Sequence, residues 1–201
     1  MELETSGRFR VLASPRERDE LLLIDHEEFD PVYVATEGYS DELGAAVADL
    51  RPGYLIDATL RWSEEGDPRF VDLSVERQDQ LTFADGVTGI FEAAKETWYT
   101  AEAEGDGMNS RVTRDTDGEP NGVLYVFAKQ TGARDLFEEF RNGVVPLEPL
   151  LQRVEEGRDD DEDRAIFVLR PTDEPFLVVY IAFTQDGLLD RTMRDTYDLH
   201  D

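Results

Sequence analysis

Along the first third of the chain, apolar and polar residues alternate in short runs, the two-residue period of strands with one buried face. Gly7–Leu12 puts Phe9 and Val11 on one face and Arg8 and Arg10 on the other. Glu20–Asp25 and Pro31–Thr36 are two further apolar runs, separated by a polar, charged turn. The period then changes. Ser40 caps a helix, with Asp41 and Glu42 at its positive end and Leu43, Ala46, Val47 and Leu50 on one face. Pro52-Gly53 ends it. Tyr54–Trp62 returns to strict alternation and sets Ile56, Ala58 and Leu60 inward. A turn at Glu65-Gly66-Asp67-Pro68 leads to Phe70–Glu76, where Val71, Leu73 and Val75 share a face. Three strands, a helix and two strands is the order of the small five-stranded OB barrel. Another small β-barrel, or a half-barrel plugged by a helix, is the rival.

From residue 86 the chain changes character. Asp85 caps an expected helix from Gly86 to about Glu104, striped by Val87, Ile90, Phe91, Ala94, Trp98 and Ala101. Gly105–Gly122 reads as a long polar loop, and Val123–Lys129 as an apolar strand. Leu136, Phe137 and Phe140 mark a short helix, and Pro146 opens another carrying Leu147, Leu150, Leu151 and Val154. Asp159–Asp163 is an acidic loop. Ala165–Arg170 and Phe176–Phe183 bracket a hairpin, and a helix from about Gly187 closes the chain. The expected class is α+β: an OB-like five-stranded β-barrel over residues 1–85, then a small α+β domain over 86–201 with the polar loop 105–122.

Charge adds a surface to this outline. Acids outnumber bases 47 to 20, a formal net charge of −27. Residues 1–85 carry −13 and 86–201 carry −14, so no acidic tail explains the excess. With 40% hydrophobic residues the chain buries a core, which a disordered acidic chain cannot do. Only Lys95 and Lys129 are lysines. Such a surface repels itself in dilute buffer, whereas near 1 M salt the Debye length shrinks to about 3 Å. The composition therefore reads as adaptation to molar salt. The chain has no cysteine, which excludes disulfides, thiolate metal sites and a cysteine nucleophile. No basic start followed by an apolar run marks a signal peptide in Met1 to Gly7. Phe176–Phe183, eight residues, is too short to span a bilayer. A cytoplasmic protein without a membrane partner is expected.

The stretches Thr5-Ser6-Gly7-Arg8-Phe9-Arg10-Val11-Leu12 and Met108-Asn109-Ser110-Arg111-Val112-Thr113-Arg114-Asp115-Thr116-Asp117-Gly118-Glu119-Pro120-Asn121-Gly122-Val123 resemble an uncharacterised family of halophilic archaea. The resemblance runs over nearly the whole chain. It implies a haloarchaeal origin and carries over no catalytic residue.

Candidate chemistry is sparse. His26 and His200 have no partner at ligand spacing and read as surface residues. The nucleophile-elbow, P-loop and dinucleotide glycine patterns are all missing from the sequence. Asp115-Thr116-Asp117-Gly118-Glu119 departs from the calcium-loop spacing and reads as a turn. Two surfaces remain. The loop 106–122 gathers Asn109, Ser110, Arg111, Arg114 and Asn121 and leads to Lys129, a set able to grip an anion. On the barrel, Arg8, Arg10 and Arg61 lie opposite the core, with Phe70 near them, as a basic groove with a stacking ring. The expected function is a non-enzymatic RNA-binding or other nucleic-acid-binding module, with no catalytic residue, metal or cofactor. A protein–protein adaptor docking through its helical half is the alternative. A carboxylate-based, metal-dependent nuclease is a third reading.

Overall fold

The computed structural model describes residues 3–64 and 66–200. Glu65, part of the turn expected before Phe70, lies outside them, as do Met1, Glu2 and Asp201. The described residues form an α+β protein with two five-stranded sheets and five helices. Two compact units emerge: Met1–Asp79 with Glu139–Arg153, and Gln80–Glu138 with Val154–Asp201.

In the first unit, β1 (Leu3–Ala13), β2 (Glu20–Asp25) and β3 (Pro31–Ala35) precede α1 (Asp41–Ala48), and β4 (Leu55–Trp62) and β5 (Arg69–Arg77) follow it. All pairings are antiparallel, in the order β3-β2-β1-β4-β5. The alternation read from the sequence places Phe9, Val11, Ile56, Ala58 and Leu60 in one core with Leu23 and Val34. Val47 of α1 and the following Leu50 pack onto the same face. The helix thus falls between the third and fourth strands. No hydrogen-bonded ladder joins β3 to β5 among the described residues, although these two edges come within 8 Å. The sheet is therefore open where a closed barrel was expected. The gap is bridged by Tyr39, whose hydroxyl donates to Ala35 O (2.6 Å) and accepts from Phe70 N (3.2 Å).

Two expectations about faces change here. A register shift between Thr59 and Leu60 pairs Phe70 with Leu60, so Phe70 enters the core at 4% exposure while Val71 and Val75 face out. The face expected to be a solvated barrel wall is covered instead. Glu139–Arg153 lies on it, with Gly143 so close to Leu22 and Ile24 that a methyl group on its Cα would meet Ile24 Cδ1 at 2.6 Å.

The second unit begins with β6 (Gln80–Val87), which occupies the expected domain boundary and the first residues of the expected helix; α2 starts only at Glu92 and runs to Glu104. Gly105, in the left-handed region at φ 75°, ends it. The expected loop 105–122 is a hairpin: β7 (Met108–Arg114) and β8 (Pro120–Ala128) pair antiparallel. Asp115 Oδ1 accepts from the N–H groups of Asp117 and Glu119 in the turn between them. Helices α3 (Leu136–Arg141) and α4 (Glu148–Glu156), strands β9 (Ala165–Pro171) and β10 (Phe176–Ala182), and α5 (Leu188–Tyr197) complete the chain. The sheet order is β6-β9-β10-β8-β7, antiparallel except for β6 beside β9. Ala94, Trp98 and Ala101 of α2 and Met193 of α5 cover one face, over Leu124, Val126, Phe167 and Val178. No helix among the described residues is long and apolar enough to cross a membrane.

Candidate functional site

The hairpin disperses the cluster expected in 106–122. Arg111 pairs with Glu96 on α2 (2.8 Å), and Arg114 folds back onto Gly118 O in the turn (2.9 Å). Asn109 Nδ2 donates to Thr97 O, and Asn121 Oδ1 accepts from Thr113. Lys129 Nζ donates to Pro171 O. These contacts fasten the hairpin and do not aim the two arginines at one point.

The first-unit arginines also separate. Arg8 pairs with Glu76 and Arg61 with Glu4, both exposed. Arg10 is buried: its Nε lies 2.5 Å from Glu148 Oε1, and one terminal nitrogen donates to Asp79 Oδ2 (2.7 Å) and Gly53 O (2.8 Å). Burial works against its charge, but the two carboxylates outweigh that and hold its pKa above the usual value. Burial would likewise raise Glu148; the Arg10 charge and the hydrogen bonds from His26 and Arg10 bring it below the ordinary glutamate value. His26, expected at the surface, lies against Glu148 with Nδ1 2.9 Å from Oε2. The partners Asp79 and Glu148 stand 69 and 138 residues from Arg10, so nothing local in the sequence points to them. With Arg10 consumed and Phe70 in the core, the expected groove and its stacking ring are not assembled.

Pockets with the size of a small ligand site include two lined by described residues. One, of about 470 Å³, is lined by Lys129, Arg134, Arg170 and neighbouring residues of the second unit. Its central arginine is committed: Arg170 donates to both oxygens of Asp85 (2.7 and 2.6 Å) and to Asp135. Among the described residues no three His, Asp or Glu side chains gather as a metal site.

The other pocket, of about 440 Å³, is built by the β1–β2 loop, Ala13 to Leu21, with Pro52. Here the donors are available. Arg16 stacks on Tyr33 of β3, its guanidinium carbon 4.1 Å from the ring centroid. Its Nε faces Glu20 Oε1 at 3.2 Å, while its terminal nitrogens meet no acceptor among the described residues. Arg18 beside it has no hydrogen-bond or ion-pair partner among them. Glu20, 7% exposed, takes a 2.6 Å hydrogen bond from Ser14 and anchors the loop. A guanidinium fixed by an aromatic face and a buried carboxylate, with its fork open, is preorganised for an oxyanion. Two arginines two apart in a proline-containing turn between strands were visible in the sequence; Tyr33, which orders one of them, comes from another strand.

Among protein families, the model of one described as a family of unknown function, DUF6663, matches residues 1–201. No curated protein matches the chain.

Proposed function

The chain belongs to the DUF6663 family over its whole length, and from that premise we propose that it is a non-enzymatic protein that binds single-stranded RNA at the β1–β2 loop. One observation carries this reading. In a chain with 47 acids and 20 bases, Arg16 and Arg18 line one pocket with their terminal donors unengaged, and Arg16 is stacked on Tyr33. Bases stack on arginine planes, and phosphates accept from the open fork. The strand order and the placement of α1 support an OB-like reading of the first sheet, and in that fold the first loop is a ligand-binding loop. The net charge of −27 opposes RNA in dilute buffer. We read it as a halophilic archaeal surface working at molar salt, where screening over about 3 Å removes the long-range repulsion. Stacking and hydrogen bonds then carry affinity.

The test is fluorescence anisotropy of a labelled single-stranded RNA in molar potassium chloride. Saturable binding is expected, weakened at least about tenfold in Arg16→Ala/Arg18→Ala, since each lost charged hydrogen bond is worth about 1.5–3 kcal/mol. Two phosphate contacts set the slope of log affinity against log salt near about −1.4. Absence of binding, or equal binding by a folded double mutant, sinks the reading. An adaptor role is favoured by a different feature: β7 is an edge strand without an acidic residue, and its Met108 and Val112 are 42% and 50% exposed. Loss of RNA binding would move attention there.

A further inference from the structure

Glu20 does more in this pocket than anchor Arg16. Its side chain is 6% exposed, and the bonds it makes converge on one oxygen: Oε1 accepts from Ser14 at 2.6 Å and faces Arg16 Nε at 3.2 Å. Oε2 has no hydrogen-bond partner among the described residues, although Glu20 lines the pocket. This oxygen keeps contact with water, since the buried side-chain atom without a hydrogen-bond partner among the described residues is Trp98 Nε1. A ligand that brings N–H groups to it replaces that water with charge-assisted hydrogen bonds, whereas a bare phosphate brings only a second negative charge.

Resting on the RNA reading above, we propose that the site reads a base, and that the base is guanine: its ring lies on the Arg16 guanidinium, its phosphate on Arg18, and its N1–H and N2–H donate to Glu20 Oε2. The choice follows from the edges of the four bases. Guanine places two N–H donors side by side, which one oxygen with two lone pairs accepts together. Adenine and cytosine set a ring-nitrogen acceptor beside their amino group, so the carboxylate meets a lone pair. Uracil flanks its single N–H with two carbonyl oxygens. Glu20 thus attracts one edge and repels parts of the other three, and discrimination between ligands draws on both effects.

The experiment uses the full chain in molar potassium chloride with three short labelled RNAs: uridines throughout, the same with one central guanosine, and the same with inosine at that place. Inosine keeps N1–H and lacks N2–H. The expected order is guanosine tightest, inosine weaker by about tenfold for one lost charged hydrogen bond, and the uridine RNA weaker again. In Glu20→Gln the guanosine-to-inosine ratio falls below about twofold, whatever happens to absolute affinity. A Glu20 that only orients Arg16 would change all three affinities together and leave the ratio intact. Equal binding of the three RNAs by the unaltered protein, or an unchanged ratio in the variant, overturns the guanine inference while the RNA reading stands. No binding of any RNA overturns both.

Discussion

Arg10 and Arg16 are both arginines near the start of the first sheet, and the chain treats them in opposite ways. Arg10 is withdrawn from water between Glu148 and Asp79; Arg16 is held at the surface with its fork open. A buried pair is costly to form but worse to break, because the survivor remains charged without a partner. Arg10→Ala is therefore expected to lose about 3–5 kcal/mol in denaturant unfolding. The pH dependence has a definite sign. Glu148 binds its proton less readily in the fold than at the ordinary value of 4.5. Its contribution is thus present at neutral pH and lost as the pH falls below that value. In Arg10→Ala the main cause of that lowering is gone, so acidification should narrow the stability gap to the unaltered protein. A gap that stays constant on acid titration would show that Glu148 is not held by Arg10.

Strand β7 shows why a whole element escaped recognition. Its seven residues contain Met108 and Val112 among polar side chains, and it sits at the edge of its sheet. An edge strand needs few apolar residues, so its period-two signal is faint. The pairing is enforced by its neighbour: Gly122 of β8 lies where a Cβ would stand 2.9 Å from Ile181 O and 3.1 Å from Thr113 Oγ1. Only hydrogen fits between β7 and β10 at that point. Gly122→Ala is expected to cost about 1–3 kcal/mol by overpacking, seen as a lower denaturant midpoint. An unchanged midpoint would mean that the three strands separate without penalty. By contrast β4 and β10 were legible, because each buries a continuous apolar face within its own sequence.

For the molecule as a whole, the charge of −27 sets the conditions under which any of this folds. It is divided almost evenly over the chain, so self-repulsion acts on both units. Lowering salt from about 1 M to 0.1 M lengthens the Debye distance from about 3 to 10 Å, and the melting temperature should fall. A melting temperature that is flat or rises on dilution would remove the halophilic reading. It would also remove the reason for expecting an acidic protein to tolerate RNA.

The order of strands and helix in the first sheet, the β9–β10 hairpin and the acidic surface were all written in local pattern and composition, since alternation and charge act within a few residues. The placement of Glu139–Arg153 over the first sheet was not, nor were the burial of Arg10, the parallel seat of β6 beside β9 and the Arg16–Tyr33 stack. Each joins residues far apart in sequence, and such contacts are chosen by which faces remain uncovered once the local elements have formed. The candidate site shows the division most clearly. Arg16 and Arg18 were not among the residues the sequence pointed to, because whether an arginine in so acidic a chain is neutralised or left open depends on which carboxylates the fold brings within reach.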